Sequence, residues 1–171
     1  GARSGGRPGR SAIARGEWIV DLRSREVFSQ GHIPGAVNFD LDGAFINYLA
    51  WMMPWGTPVT LVGATTQQVE AAMRELVRVG ISVPKAHAVG DPRFWLEDGE
   101  LPAVTRRVDF ATVRDEWTSN PDAMVIDTRQ ILEWEGGHVR GAEFIPFYEV
   151  MDRHGDIPRD KDVYVYCGSG Y

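Results

Sequence analysis

Residues 20–36 read Val-Asp-Leu-Arg-Ser-Arg-Glu-Val-Phe-Ser-Gln-Gly-His-Ile-Pro-Gly-Ala, and residues 126–142 read Ile-Asp-Thr-Arg-Gln-Ile-Leu-Glu-Trp-Glu-Gly-Gly-His-Val-Arg-Gly-Ala. Without a gap, Asp21 pairs with Asp127, Arg23 with Arg129, Phe28 with Trp134, Gly31-His32 with Gly137-His138, and Gly35-Ala36 with Gly141-Ala142. The two stretches lie 106 residues apart. Solenoid and propeller repeats recur every ~20–50 residues, so this spacing marks a duplicated domain instead.

Outward from each motif the pattern of elements repeats too. In the first copy a short apolar run, Trp18-Ile-Val20, ends at Asp21 and predicts a strand, followed by a short helix near residues 25–29. Gly31 to Gly35 turns the chain into Val37-Asn38-Phe39, a second strand. Residues 42–53 read as helical up to Pro54, and Val59-Thr-Leu-Val62 reads as a buried strand. A helix follows over 67–79, with Val69, Ala72, Met73 and Leu76 at i, i+3, i+4 and i+7 and Gly80 as its stop. Ala86-His-Ala-Val89 supplies a last strand. The second copy repeats this order: a helix capped by Asp109, a strand before Asp127, Phe144-Ile145, a helix near 147–153, and the strand Val163-Tyr-Val-Tyr166. Strands alternating with helices predict an α/β fold: two domains, each a mostly parallel sheet flanked by helices. The expected organisation is a flexible segment over 1–11, a first domain over 12–100, and a second over 101–171 that is incomplete at its C-terminus.

Composition narrows the functional classes. The 171 residues (19.1 kDa) are 43% hydrophobic and 25% charged, as in ordinary globular proteins. A net charge of −6 and a pI near 5.2 argue against nucleic-acid binding through a broad basic face. No apolar run approaches the ~20 residues of a membrane span, and residues 1–15 lack the apolar stretch of a secretory signal. The only cysteine is Cys167, which excludes a disulfide scaffold and a cysteine-rich zinc site and suits a reducing, cytoplasmic setting. The four histidines show no ligand spacing, so neither a metal site nor a cofactor is expected.

Aligning 163–166 with 59–62 sets Cys167 opposite Gly63. After the second strand comes Cys167-Gly168-Ser169-Gly170-Tyr171; after the first comes Gly63-Ala64-Thr65-Thr66-Gln67. A glycine-rich loop between a parallel strand and a helix lets several backbone N–H groups converge into an anion cradle. A cysteine sulfur in such a cradle is favoured as thiolate and is a strong nucleophile.

Asp-x-Arg, then Gly-His-x-x-Gly-Ala, then a buried strand ending in Cys-x-x-Gly resembles the rhodanese (thiosulfate sulfurtransferase) family, with the cysteine loop in the second copy alone. The resemblance implies a sulfurtransferase in which the Cys167 thiolate takes sulfane sulfur from thiosulfate or a persulfide and passes it to a thiol or cyanide. It implies that Gly168, Ser169, Gly170 and Tyr171 hold the persulfide and the donor's anionic group, with Asp127 close to the substrate. In the family the loop continues to an arginine, serine or threonine at a position beyond Tyr171, and the chain by itself is expected to be inactive. Leu49-Ala-Trp-Met-Met-Pro-Trp-Gly-Thr-Pro58 also resembles the tandem rhodanese region of bacterial metallo-β-lactamase-fold hydrolases, which implies such a hydrolase as fused or associated partner.

Other readings set expectations for single residues. The first copy retains His32 without any cysteine, so His32 and His138 are expected to stabilise turns rather than activate a thiol. Thr65 or Thr66 is expected to cap a helix rather than to stand in as a nucleophile. Asp21 and Asp127 are also readable as structural ion pairs with Arg23 and Arg129. Trp51, Met52, Met53 and Trp55 are read as core or as a seam between the copies, against a surface for a partner domain. Two further functions stand beside sulfur transfer: a non-catalytic interaction module, and a Cys-x5-Arg phosphatase, which shares the anion cradle.

Overall fold

The structure, a computed structural model, describes residues 10–41, 45–84, 86–96 and 98–168. It divides into two compact units, Gly1–Arg107 and Val108–Tyr171.

In the first unit, helix α1 (Arg10–Ala14) precedes strand β1 (Trp18–Asp21). Arg10 and Ser11, the last two residues of the segment read as a flexible lead-in, belong to α1. Ala12 is buried beside Ile19 and Ile33, which gives that short helix an apolar anchor; residues 1–9 lie outside the described residues. Helix α2 (Arg25–Gln30) begins at Ser24, whose hydroxyl accepts the Val27 N–H. Then come β2 (Val37–Asn38), α3 (Phe45–Met52), β3 (Val59–Gly63), α4 (Thr66–Arg78) and β4 (Ala86–Val89). The expected helix start at 42–44 lies outside the described residues.

The sheet order is β2-β1-β3-β4, every pair parallel. Side chains alternate across it. Val20 and Leu61 face one core with Phe45, Leu49, Val69, Ala72 and Leu76, while Ile19 and Val62 face the other with Ala12, Ile33, Ala88 and Leu96. Helices thus cover both faces, and all five β3 residues are buried. The α4 stripe predicted from spacing is the buried one, with Met73 half-buried at its edge. The dense cluster 51–55 splits by helix geometry. Phe45 and Leu49 point inward from α3 and Met53 follows them, which leaves Trp51 on the outer side at 65% exposure and Trp55 in the next turn at 85%. The core reading holds for the methionines only.

Gly35 must be glycine. Its φ is +82°, and a Cβ there would stand 2.7 Å from Ile13 Cδ1. Its repeat partner Gly141 has φ +85°, with the Trp117 ring 3.3 Å from the same point. The repeated Gly-Ala pair is thus a turn pressed against a helix in each copy.

The second unit runs α5 (Phe110–Ser119), β5 (Met124–Asp127), α6 (Ile131–Glu135), β6 (Glu143–Phe144), α7 (Val150–Arg153) and β7 (Val163–Tyr166). Asp109 caps α5, accepting the Thr112 N–H at 2.8 Å. The sheet order β6-β5-β7 is again all parallel and matches β2-β1-β3. No counterpart of α4 or β4 is present among the described residues, and Val165 is 61% exposed where its counterpart Leu61 is buried.

Packing of α4 on β3 carries the first core, so Leu76→Ala is expected to lower unfolding free energy by roughly 2–5 kcal/mol. Val77→Ala, one residue along on the exposed side, should stay within about 0.5 kcal/mol of wild type. Urea midpoints at constant m check both.

Candidate active site at the carboxyl edge of the second sheet

The repeated Asp-x-Arg builds the same clamp in both units. At the end of β1, Arg23 Nε reaches Asp21 Oδ1 at 2.9 Å and Oδ2 at 3.1 Å, while Nη2 reaches Oδ2 at 2.6 Å and the Gly31 carbonyl at 2.9 Å. The Arg23 backbone N–H also donates to Oδ1. At the end of β5, Arg129 repeats every bond, with Nη2 to Asp127 Oδ2 at 2.7 Å and to the Gly137 carbonyl at 2.8 Å. A planar guanidinium suits this, since its fixed fork fills one carboxylate and still has a donor for the loop. The histidines finish the turn as expected. His32 Nδ1 pairs with the Phe28 carbonyl at 2.8 Å and its ring stacks on Phe28; His138 Nδ1 pairs with the Trp134 carbonyl at 3.0 Å and stacks on Trp134.

Asp127 is fully buried with both oxygens engaged by Arg129, so it has no face for a donor. The strand-end carboxylate points into the clamp, as the ion-pair reading of Asp127 and Arg129 expected. Burial pushes its carboxyl up, yet hydrogen bonds from the Arg129 side chain, the Tyr166 phenol and the Arg129 backbone outweigh burial and hold it below the usual range. Tyr166, last residue of β7, is in register with Asp127. Its hydroxyl accepts the Val139 N–H at 3.1 Å, and the Arg129 guanidinium lies 5.4 Å from its ring centre. Its carbonyl accepts both the N–H and the hydroxyl of Thr128 at 3.0 Å. Burial, then the bond to Asp127, raises the Tyr166 pKa, which keeps the phenol protonated.

The residue after this locked position is Cys167, half-buried. In a parallel sheet of this order, loops leaving β5 and β7 diverge, and the crevice between their carboxyl ends is where such sheets bind ligands. Gly168 follows; a Cβ on it would stand 3.0 Å from Glu133 Oε1. Ser169, Gly170 and Tyr171, expected to complete the cradle, lie outside the described residues. Neither Tyr166 nor Glu133 stood out in the sequence. The signal was there in the copy comparison: the matching first-copy residues are Val62 and Val27.

The first unit's equivalent position is closed. Gln68 Oε1 accepts the Ala64 N–H at 2.8 Å, and its Nε2 donates to the Leu22 carbonyl at 2.6 Å. Thr65 caps α4 as expected, accepting the Gln68 N–H at 3.2 Å. A Cβ on Gly63 would stand 2.8 Å from Val69 Cγ2 and 3.2 Å from Gln68 Oε1. The side-chain amide of Gln68 thus takes the Ala64 N–H, one of the loop amides an anion would use. Among the described residues no cluster of three or more His, Cys, Asp or Glu side chains is arranged for a metal, and no helix is long and apolar enough to cross a membrane.

These features define a duplicated parallel α/β unit with one cysteine–glycine loop at a carboxyl edge. The Rhodanese-like domain model matches residues 10–96 and 112–171, and the chain belongs to that family. Among curated proteins it is 47% identical over 45 residues to the uncharacterized protein YqhL of Bacillus subtilis (26% of this chain, 36% of that protein). It is 27% identical over 67 residues to a sulfurtransferase of Allochromatium vinosum (39% and 63%). The chain thus spans less than two thirds of either relative. Among solved structures, a metallo-β-lactamase from Staphylococcus aureus aligns at 28% identity and TM-score 0.41 over 44% of this chain and 22% of that one. The anaerobic ergothioneine biosynthesis enzyme from Chlorobium limicola aligns at 16% identity and TM-score 0.45 over 80% and 39%.

Two outcomes follow from this geometry. Gly63→Cys is expected to lower stability and to gain no sulfur on treatment with a persulfide donor, as read by intact-protein mass. The depressed Asp127 carboxyl contributes stability that is full above the ordinary carboxyl pKa of ~3.9 and is lost as pH falls below it. The stability gap between wild type and Asp127→Asn, from urea midpoints, should therefore shrink between pH 7 and pH 3.

Proposed function

We propose that the second domain, residues 101–171, transfers sulfane sulfur through Cys167, and that the first, residues 12–100, is a non-transferring copy. The observation that carries this reading is the place of the lone cysteine. It follows the last ladder pair of β7, beside β5, at the start of a glycine-rich loop in a Rhodanese-like domain. Similarity to the Allochromatium vinosum sulfurtransferase supports the same chemistry.

In the first half-reaction the Cys167 thiolate attacks the outer sulfur of the donor. A bond forms between Sγ and that sulfur, and the donor's S–S bond breaks with its electron pair leaving on sulfite, for thiosulfate, or on a thiolate, for an organic persulfide. In the second, a thiolate or cyanide attacks the outer sulfur of the Cys167 persulfide and Sγ leaves as thiolate, so no external oxidant or reductant is needed. Backbone N–H groups of Gly168, Ser169, Gly170 and Tyr171 stabilise the anionic persulfide, as preorganised donors do for developing charge. Tyr166, Asp127 and Arg129 hold the strand end from which the sulfur projects.

The Gln68 loop supports the assignment of the first domain, because it has no cysteine and its Ala64 N–H is already taken by the Gln68 side chain. The stretch 49–58 supports a metallo-β-lactamase-fold hydrolase as the companion. A lone thiol suits a reducing compartment and hence a cytoplasmic location.

Treating the intact protein that carries these residues with thiosulfate or an organic persulfide should add one sulfur to Cys167, seen by mass spectrometry and removed by cyanide as thiocyanate. Cys167→Ser should abolish both. Turnover retained in that variant would overturn the reading, and a thiol that never gains sulfur would favour an interaction module.

A further inference from the structure

Thr128 lies between Asp127 and Arg129, and the sulfur-transfer steps give it no part. It is half-buried, and each of its polar groups is engaged. Its N–H and its hydroxyl both donate to the Tyr166 carbonyl at 3.0 Å, while its own carbonyl accepts the Phe147 N–H at 3.0 Å. A carbonyl oxygen has two lone pairs, so the Tyr166 oxygen takes both donors at once. That carbonyl belongs to the planar peptide unit that continues into Cys167, so Thr128 grips the plane that carries the cysteine's own N–H and Cα. The Tyr166 hydroxyl, held by the Val139 N–H and by Asp127, fixes the same residue through its side chain. Two donors on one carbonyl also polarise the amide, which strengthens the Cys167 N–H as a donor.

The first copy supplies an independent comparison. There the residue between Asp21 and Arg23 is Leu22, whose N–H donates to the Val62 carbonyl at 2.8 Å. The backbone bond is thus common to both copies. Leucine has no hydroxyl, so the side-chain bond has no counterpart in the copy whose strand runs into Gly63. The second bond accompanies the cysteine.

We infer that Thr128 is a positioning residue for sulfur transfer: through the Tyr166 carbonyl, its hydroxyl holds the backbone of Cys167 in the orientation from which Sγ attacks the donor's outer sulfur. This rests on the sulfur-transfer reading of Cys167. One hydrogen bond between neutral groups, expressed wholly in the attack, changes its rate by about 2–10-fold. The effect falls on the chemical step rather than on donor binding, because every polar group of Thr128 is already committed within the protein.

Thr128→Val keeps the shape and the backbone bond and removes the hydroxyl; Thr128→Ser keeps the hydroxyl. Persulfide formation on Cys167, with sulfite released, is followed in the intact protein after rapid mixing with excess thiosulfate. The readings are the maximal rate constant, the half-saturating thiosulfate concentration and the sulfur gained per folded molecule. Thr128→Val is expected to lower the maximal rate constant by about 2–10-fold, with half-saturation within about twofold of wild type and the sulfur gained per folded molecule unchanged. Thr128→Ser is expected to recover the wild-type rate constant. A valine variant that reacts at the wild-type rate, or whose loss is confined to the amount of folded protein, would overturn the role of Thr128. A serine variant as slow as the valine one would overturn it too, and each of these results leaves the sulfur-transfer reading standing. Wild-type protein that gains no sulfur would overturn both.

Discussion

The fork between an arginine, a strand-end aspartate and a glycine carbonyl eight residues on is the constraint around which each unit is arranged. It joins the last residue of the first strand of each unit to the far end of the following helix, so strand, helix and Gly-His turn act as one rigid corner. The ions lie mostly out of water, with side-chain exposures of 7% and 1% in the first unit and 18% and 0% in the second. Removing one partner from such a pair costs about 3–5 kcal/mol, because the other charge stays buried. The corner sits at the carboxyl edge of the sheet, where the family's chemistry lies. That explains why it persists in a unit with no nucleophile: it maintains the edge whether or not the edge is used.

The two copies differ where the corner meets the neighbouring strand. In the first, Val62 and Gly63 run into a loop whose Ala64 amide is met by Gln68, and the apolar face of β3 is covered by α4. In the second, Tyr166 threads its hydroxyl between the Val139 amide and Asp127, and the cysteine follows at once. The same scaffold thus carries two different strand ends, one followed by Gly63 and the Gln68 contact and one by Cys167, and two or three residues make the difference.

Much of this was readable from residue order because the decisive contacts are local. Asp21 and Arg23 are two apart, Phe28 and His32 four apart, and the Val69–Leu76 stripe lies on one helix, so spacing alone specifies the partners. Reading failed where burial or long separation decides. Whether Trp51 faces in or out depends on which side of α3 meets the sheet, and an all-apolar stretch does not say. Asp127 was readable both as a neighbour of the substrate and as the partner of Arg129, and only the direction of its side chain, which residue order does not give, shows the ion pair. The approach of Glu133 to Gly168 spans 35 residues, so no local pattern announces it.

The residues of β7 say what kind of strand it is. That strand, Val-Tyr-Val-Tyr, pairs with β5 along one edge, and among the described residues its other edge meets no strand. It is β-branched and aromatic throughout, with neither the lysine nor the proline that natural edge strands use to repel one another. Its make-up is that of an interior strand, and its counterpart β3 is one, paired by β1 on one side and β4 on the other.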